Sequence, residues 1–128
     1  DGEDVVPIYY GDYGVEFYNN LIFTDAKLIS SDPELVQRFI RATLKGYQYA
    51  VEHPQEVAAF TLKYDESLDV AFQQATIEAQ IPLLDTGDAQ IGWMEEDIWN
   101  NTQAILLDQG YITSPIDLTK AYTNDFIK

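Results

Sequence analysis

The stretch DPELVQRFIRATLKGYQYAVE, residues 32–52, contains the start, the body and the end of a long helix. Asp32 is a good N-cap, and Pro33 suits the first helical position because its missing N–H would be unpaired there. Mostly apolar side chains then recur at steps of three and four residues and form one stripe. The members of this stripe are Leu35, Val36, Phe39, Ile40, Thr43, Leu44, Tyr47, Ala50 and Val51. The pattern predicts a helix over Pro33–Glu52 whose striped face belongs to a core.

Further helices are predicted downstream of this stretch, where caps, prolines and glycines separate periodic apolar segments. The predicted boundary residues are Pro54 as the start of a second helix, Ser67 as the cap and Pro82 as the end of a third, Glu95–Gln109 followed by Gly110 for a fourth, and Asp117 as the cap of a final turn. The chain from residue 25 onward is therefore predicted to be helical.

The segment before residue 25 has the composition of strands. Its runs VVPIYY and VEFYNNLIF are rich in β-branched and aromatic residues, and glycines punctuate them. We predict a strand near Val5–Tyr9, a turn across Gly11–Gly14 and a second strand that ends at Thr24.

Two short strands followed by four or five helices form an incomplete α/β arrangement. A pair of strands does not make a stable sheet with a covered face on its own. The fold class predicted is α/β, in which this chain is the C-terminal portion of a larger protein or completes its sheet with another chain.

Composition limits the function classes. The 22 acidic and 7 basic residues give a formal net charge of −15, which disfavours binding to nucleic acids and to anionic lipid surfaces. Cysteine is absent, so disulfides, thiolate metal sites and a cysteine nucleophile are excluded. No apolar run reaches the length of about 18 residues that a membrane-spanning helix needs.

Catalytic and metal-binding patterns are weak in this sequence. The single histidine, His53, lies at a predicted helix junction, and a general base needs a positioned partner. The acids Glu95, Glu96 and Asp97 are explained by the positive end of the helix that they begin. We expect no enzyme activity, no metal and no cofactor.

A small basic ridge is formed by Arg38, Arg41 and Lys45 on the helix of residues 33–52. Such a ridge is usually a solvated face with local glutamate partners. A docking surface is the alternative interpretation.

Aromatic and amide side chains cluster just before residue 21. On a strand, Glu16, Tyr18 and Asn20 would share one face, while Phe17 and Asn19 would share the other. An amide beside tyrosines suits a pocket for a flat polar molecule, because the tyrosine ring stacks on the molecule and the amide forms hydrogen bonds with its edge. Alternatively, the two asparagines satisfy backbone groups where two chain segments cross.

Longer motifs carry a family resemblance. The segments DYGVEFYNNLIFTDAKLISSDPELVQRFIRATLKGYQYAVEHPQEVAAF, IGWMEEDIWNNTQAILLDQGYI and YTNDFI cover most of the chain. They resemble the C-terminal half of solute-binding proteins of ABC importers. The branch concerned includes binders of thiamine-pyrimidine precursors, riboflavin, alkanesulfonates and nitrate.

This resemblance implies the C-terminal part of a type II periplasmic-binding-protein-like fold. Residues 1–24 would be strands that cross the hinge and cleft, and residues 25–128 would be the helical remainder of the first lobe of a larger two-lobed protein. The ligand-binding residues that it implies are Asp12, Tyr13, Glu16, Tyr18, Asn19 and Asn20.

The function that the resemblance implies is that of the solute-binding component of an ABC import system. Its partners would be a small-molecule solute and the membrane subunits of the transporter, and its location extracytoplasmic, in the periplasm or lipid-anchored at the cell surface. Riboflavin or a thiamine-precursor pyrimidine fits the tyrosines and amides better than a sulfonate or nitrate, because residues 9–24 contain no cation.

Several alternatives stay open. One is a pyrimidine-synthase-like enzyme of the same fold, although relatives of that kind use cysteines that this chain lacks. Another is an alkanesulfonate- or nitrate-binding protein, and a third is a helical interaction module that docks through the stripe from Leu35 to Val51. Since an isolated half would expose apolar surface, we also expect a homodimer or a swapped assembly.

Overall fold

A computed structural model describes residues 6–87 and 89–127 of the chain. The chain divides into two compact units. The first contains the residues up to Phe23 together with Met94–Thr123, and the second contains Thr24–Trp93 together with the residues from Asn124 onward. The candidate binding residues and the long helix of the opening stretch therefore belong to different units.

Five α-helices and two short 3₁₀ helices make up the regular structure of the described residues. The α-helices are α1 (Ala26–Ser31), α2 (Pro33–Glu52), α3 (Pro54–Thr61), α4 (Val70–Leu84) and α5 (Glu96–Asp108), and the 3₁₀ helices are Tyr10–Tyr13 and Leu118–Lys120.

The predicted α/β class with two short strands is wrong. No strand occurs in residues 6–87 or 89–127, and Val5, the predicted start of the first strand, lies outside the described residues. The backbone at Tyr9 is extended, with φ −91° and ψ 132°, but the chain then enters the 3₁₀ helix Tyr10–Tyr13, which ends at Gly14 with φ +76°. Strand propensity depends on packing against cross-strand neighbours, so aromatic and β-branched residues without a paired segment do not form a strand.

Most helix boundaries follow the sequence signals. The Asp32 carboxylate accepts a hydrogen bond from the Leu35 N–H at 3.0 Å, and α2 has the predicted limits. α3 starts at Pro54 as predicted. α5 is one residue shorter at each end than predicted, with Gly110 just beyond it in the left-handed conformation, φ +71°. These boundaries are set by local capping chemistry, which a sequence shows directly.

The two predicted boundaries of α4 are wrong. The Ser67 hydroxyl instead donates to the Asp65 carboxylate at 2.6 Å, which engages it in the preceding turn. Asp69 is the cap, because its carboxylate lies directly before the helix and accepts from the Phe72 N–H at 2.7 Å. Pro82 does not end the helix, which continues to Leu84.

The second unit is built on α2, which contacts α1, α3 and α4, while α3 also packs against α4. Ala58 on α3 is the one fully buried residue of the part of the chain that the structure describes. The predicted core stripe of α2 is only partly covered, since Leu35 is 42% and Phe39 58% exposed. Phe72 on α4 is 67% exposed. Much apolar side-chain surface of this unit is therefore uncovered.

None of the helices among the described residues combines the length and the hydropathy needed to cross a membrane.

Candidate ligand-binding site

The segment with the predicted binding residues is fastened to α5 by one side chain. The half-buried Asn101 amide donates from Nδ2 to the backbone carbonyl oxygens of Gly14, at 3.1 Å, and Glu16, at 3.2 Å. An amide has two N–H donors, so one side chain can satisfy both carbonyls. Asn101 thus fixes the path of the chain between the 3₁₀ helix Tyr10–Tyr13 and Tyr18.

Tyr18 lies in an aromatic cluster with Trp99 and Tyr122. Its hydroxyl accepts a hydrogen bond from the Glu95 backbone N–H at 2.6 Å, at the N-terminal end of α5. Its ring centroid is 6.2 Å from that of Trp99 with a tilt of 48°, and Trp99 stacks on Tyr122 at 4.9 Å with an interplanar angle of 4°. The aromatic cluster is therefore a continuous series of three rings in the first unit.

The polar groups of the aromatic cluster are unevenly satisfied. The indole Nε1 of Trp99 is buried and has no hydrogen-bond acceptor among the described residues. Loss of solvent contact raises the pKa of the Tyr122 phenol, and the negative charge of Glu96 and Glu95 raises it further, together with nearby Tyr18. Tyr122 therefore keeps its phenol proton at physiological pH and can form hydrogen bonds through it.

The structure places the six predicted binding residues on one segment but gives them different surroundings. Asp12 and Tyr13 end the 3₁₀ helix, where the Tyr13 ring is 74% exposed. Glu16 is held through its backbone and Tyr18 through both its ring and its hydroxyl, as described above. Asn19 and Asn20 follow directly and are exposed. The Asn19 carbonyl oxygen accepts from the Leu21 N–H at 2.9 Å, which turns the chain after Tyr18.

Four residues of this candidate site were not predicted from the sequence: Glu95, Trp99, Asn101 and Tyr122. Trp99 has the spacing of an inward-facing residue of α5, which does not reveal that Tyr18 is its neighbour. Tyr122 lies in the chain after α5, without any local pattern that pairs it with a tryptophan. No local signal could have connected these residues to the segment around Tyr18. The hydrogen bonds from Glu95 to Tyr18 and from Asn101 to Gly14 join residues that are 77 and 87 positions apart in the sequence.

Metal chemistry finds no support in the described part of the chain. Within residues 6–87 and 89–127, no group of three or more histidine, aspartate or glutamate side chains could hold a metal ion.

Replacing Asn101 with leucine, which is similar in size, is expected to lower the free energy of unfolding by about 1–3 kcal/mol, because the carbonyls of Gly14 and Glu16 lose their donors. Amide hydrogen exchange between Val15 and Tyr18 should accelerate. Urea denaturation and exchange measurements test this, with the exposed neighbour Asn100→Leu as the matched control. Equal effects of the two substitutions would contradict the fastening role of Asn101.

Comparison with known proteins bears on this segment directly. Residues 1–57 match the family described as NMT1/THI5 like. The chain is 26% identical over 114 residues to the riboflavin-binding protein RibY of Chloroflexus aurantiacus, which covers 84% of this chain and 32% of the relative. It is 22% identical over 129 residues to the formylaminopyrimidine-binding protein of Halalkalibacterium halodurans, covering 97% of this chain and 39% of the relative.

The chain is thus similar to the NMT1/THI5-like family over residues 1–57 and to two proteins named as binding proteins over most of its length. This confirms the resemblance predicted from the sequence, and it implies a periplasmic-binding-protein-like fold for the relatives as whole proteins. The chain spans about a third of the length of the curated relatives that it matches. Both relatives are named as binding proteins.

Proposed function

We propose that this chain forms part of the solute-binding component of an ABC import system, located outside the cytoplasm, and that its solute is a small aromatic heterocycle. The observation that carries the proposal is the similarity to two proteins named for binding riboflavin and formylaminopyrimidine, over 84% and 97% of this chain. Both compounds contain a flat aromatic ring system with nitrogen and oxygen atoms in it or attached to it. A site for either needs ring surfaces and side chains that form hydrogen bonds.

The segment from Asp12 to Asn20 supplies both kinds of group. The exposed Tyr13 ring offers a face for stacking, and the amides of Asn19 and Asn20 can donate and accept at a ring edge. Asp12 and Glu16 supply acceptors for ring N–H groups. Tyr18 acts as a positioning residue in this proposal, because its hydroxyl and ring are already engaged by Glu95 and Trp99.

The charge near the aromatic cluster supports a neutral heterocycle over an anion. Glu95 and Glu96 place negative charge beside Tyr122, and residues 9–24 contain no cation. A sulfonate or nitrate would be favoured by a cationic side chain at this position. Since both relatives are named as binding proteins, we assign no reaction to the site.

The proposal can be tested by isothermal titration calorimetry on the protein that the natural gene encodes. Riboflavin or formylaminopyrimidine should bind, while taurine and nitrate should not. Tyr13→Ala and Asn20→Ala should each weaken the affinity by about 5- to 150-fold, as expected for the loss of a stacked ring or of a buried hydrogen bond.

The matched control is Tyr111→Ala, which removes a 79% exposed tyrosine from the same unit outside the segment. The Tyr111→Ala variant should bind the heterocycle with unchanged affinity. Absence of heat with both heterocycles would refute the proposed ligand class, and unchanged affinity in Tyr13→Ala and Asn20→Ala would place the site elsewhere.

A further inference from the structure

The basic ridge of α2 is only partly neutralised. Arg38 has a local partner, since its Nη1 lies 3.8 Å from Oε2 of Glu34. Arg41 and Lys45 form no ion pair with any residue in 6–87 or 89–127, although the chain carries 22 acids. Because Arg41 and Lys45 lie one helical turn apart and neither is paired with an acid in the described part of the chain, they form a local positive surface on a protein of net charge −15.

These two cations line a cleft in the second unit. The cleft has a volume of about 370 Å³ and lies between α2 and the segment of Gln90 and Ile91. Leu44 and Ile91 are its half-buried apolar lining residues. The volume is at the lower end of the range of sites that bind small molecules. Arg41, Lys45 and Gln90 thus line the same cleft as the apolar side chains of Leu44 and Ile91, and its volume is sufficient for one small organic molecule.

The wall opposite α2 is held by a tight turn. The Trp93 N–H donates to the Gln90 carbonyl oxygen at 2.9 Å, and Gly92 has φ +90°, as the third position of a type II turn requires. A Cβ atom on Gly92 would lie 2.7 Å from Cδ2 of Leu44, so the glycine backbone lies directly against that side chain. The turn therefore fixes Gln90 and Ile91 in place against α2.

The two ends of the cleft differ in charge. At the end away from Arg41, Gln48 Nε2 donates to Glu52 Oε1 at 2.9 Å. Tyr49 also lines this end, and a hydrogen bond to the Glu56 carboxylate raises its pKa. Arg41 and Glu52 are about 16 Å apart along the helix, at 1.5 Å per residue. An anionic group would therefore be favoured at the Arg41 end and disfavoured at the Glu52 end.

We propose that this cleft is a second binding site, which takes a small organic anion: a carboxylate or phosphate attached to a flat apolar body. Arg41 and Lys45 bind the anionic group, the Gln90 amide donates to it, and the apolar body contacts Leu44 and Ile91. The site lies entirely within the second unit. It is independent of the heterocycle site proposed above, which lies in the first unit.

The experiment titrates the full chain with benzoate, phenyl phosphate, inorganic phosphate and uncharged benzyl alcohol, followed by amide chemical shifts in NMR spectra. Benzoate or phenyl phosphate should shift the resonances of Leu44, Lys45 and Ile91, and the stronger of the two identifies the preferred anionic group. Inorganic phosphate and benzyl alcohol should each bind at least about tenfold more weakly, since each lacks one half of the recognised chemistry.

Three variants test the assignment of residues. Arg41→Gln and Lys45→Gln should each weaken binding by about tenfold or more, the cost of a lost hydrogen bond to a charged group. Arg38→Gln is the matched control, because it removes the same charge from the same helix at a position already paired with Glu34. It should change the affinity by less than about twofold.

Equal losses of affinity in all three variants would indicate non-specific electrostatic attraction rather than a defined binding site, and would overturn the proposal. Absence of shifts at Leu44 and Ile91 with both aromatic anions would overturn it as well. Heterocycle affinity should be unaffected by Arg41→Gln, so failure of the anion site and failure of the proposed solute site can be distinguished.

Discussion

Replacement of Trp99 by alanine should lower the free energy of unfolding by about 3 kcal/mol, the lower end of the range for removing a tryptophan from a packed position. The Trp99 ring is the middle member of the aromatic cluster, 6.2 Å from Tyr18 and 4.9 Å from Tyr122. Its loss removes both ring contacts at once and leaves Tyr18 attached to α5 through the Glu95 hydrogen bond alone. Urea denaturation followed by circular dichroism measures the change.

Two controls separate the ring contacts from other effects of Trp99. Trp93→Ala removes a tryptophan that is 44% exposed and belongs to the other unit, and it should cost about 1 kcal/mol or less. Trp99→Phe keeps an aromatic ring and removes the indole N–H, which has no acceptor among the described residues, so it should cost less than Trp99→Ala. Equal costs for Trp99→Ala and Trp93→Ala would contradict the central role of the aromatic cluster.

Glycine-to-alanine substitutions at two positions should have opposite effects on stability. Gly92→Ala should cost about 2 kcal/mol, because alanine at φ +90° is strained and its Cβ would meet Cδ2 of Leu44 at 2.7 Å. Gly46→Ala should stabilise the protein by about 0.5–1 kcal/mol, since Gly46 lies inside α2 and a Cβ there would meet nothing within 4 Å. Thermal and urea denaturation of both variants measure the difference.

The same pair of variants tests how the anion cleft is built. Gly92→Ala should also weaken binding of the aromatic anions, because the turn can no longer lie against Leu44, whereas Gly46→Ala should not. Adding Leu44→Ala to Gly92→Ala relieves the steric contact but not the backbone strain, so it should not restore stability. Destabilisation by Gly46→Ala equal to that by Gly92→Ala would show that neither the turn geometry nor the approach to Leu44 matters.

Local signals predicted the helices because the responsible groups are close in sequence. The Asp32 cap, Pro33 and the stripe of α2 lie within 21 consecutive positions, and the helix has the predicted limits. The cap of α4 was placed wrongly because Ser67 and Asp69 are both good caps. In the structure, Asp69 accepts from the Phe72 N–H, whereas the Ser67 hydroxyl donates to Asp65.

The strands were predicted wrongly for the opposite reason. A strand depends on a pairing partner that can lie anywhere in the sequence, and composition near Tyr9 or Phe23 does not show whether a partner is present. For the candidate site, too, the sequence indicated only the residues that are close together along the chain. Tyr18 and its sequence neighbours were predicted from local composition, whereas Trp99 and Asn101 become their spatial neighbours only through folding of the first unit.

The uncovered apolar side chains of α2 and α4 have a consequence for handling the protein in solution. We expect molecules with such surfaces to stay dispersed in solution through repulsion between their negative charges, while the apolar surfaces favour association. Acidification toward the isoelectric point near pH 4.1, or concentrated salt, weakens that repulsion. We therefore expect the colloidal stability of this chain to depend on its net charge, and neutralisation of that charge to cause precipitation.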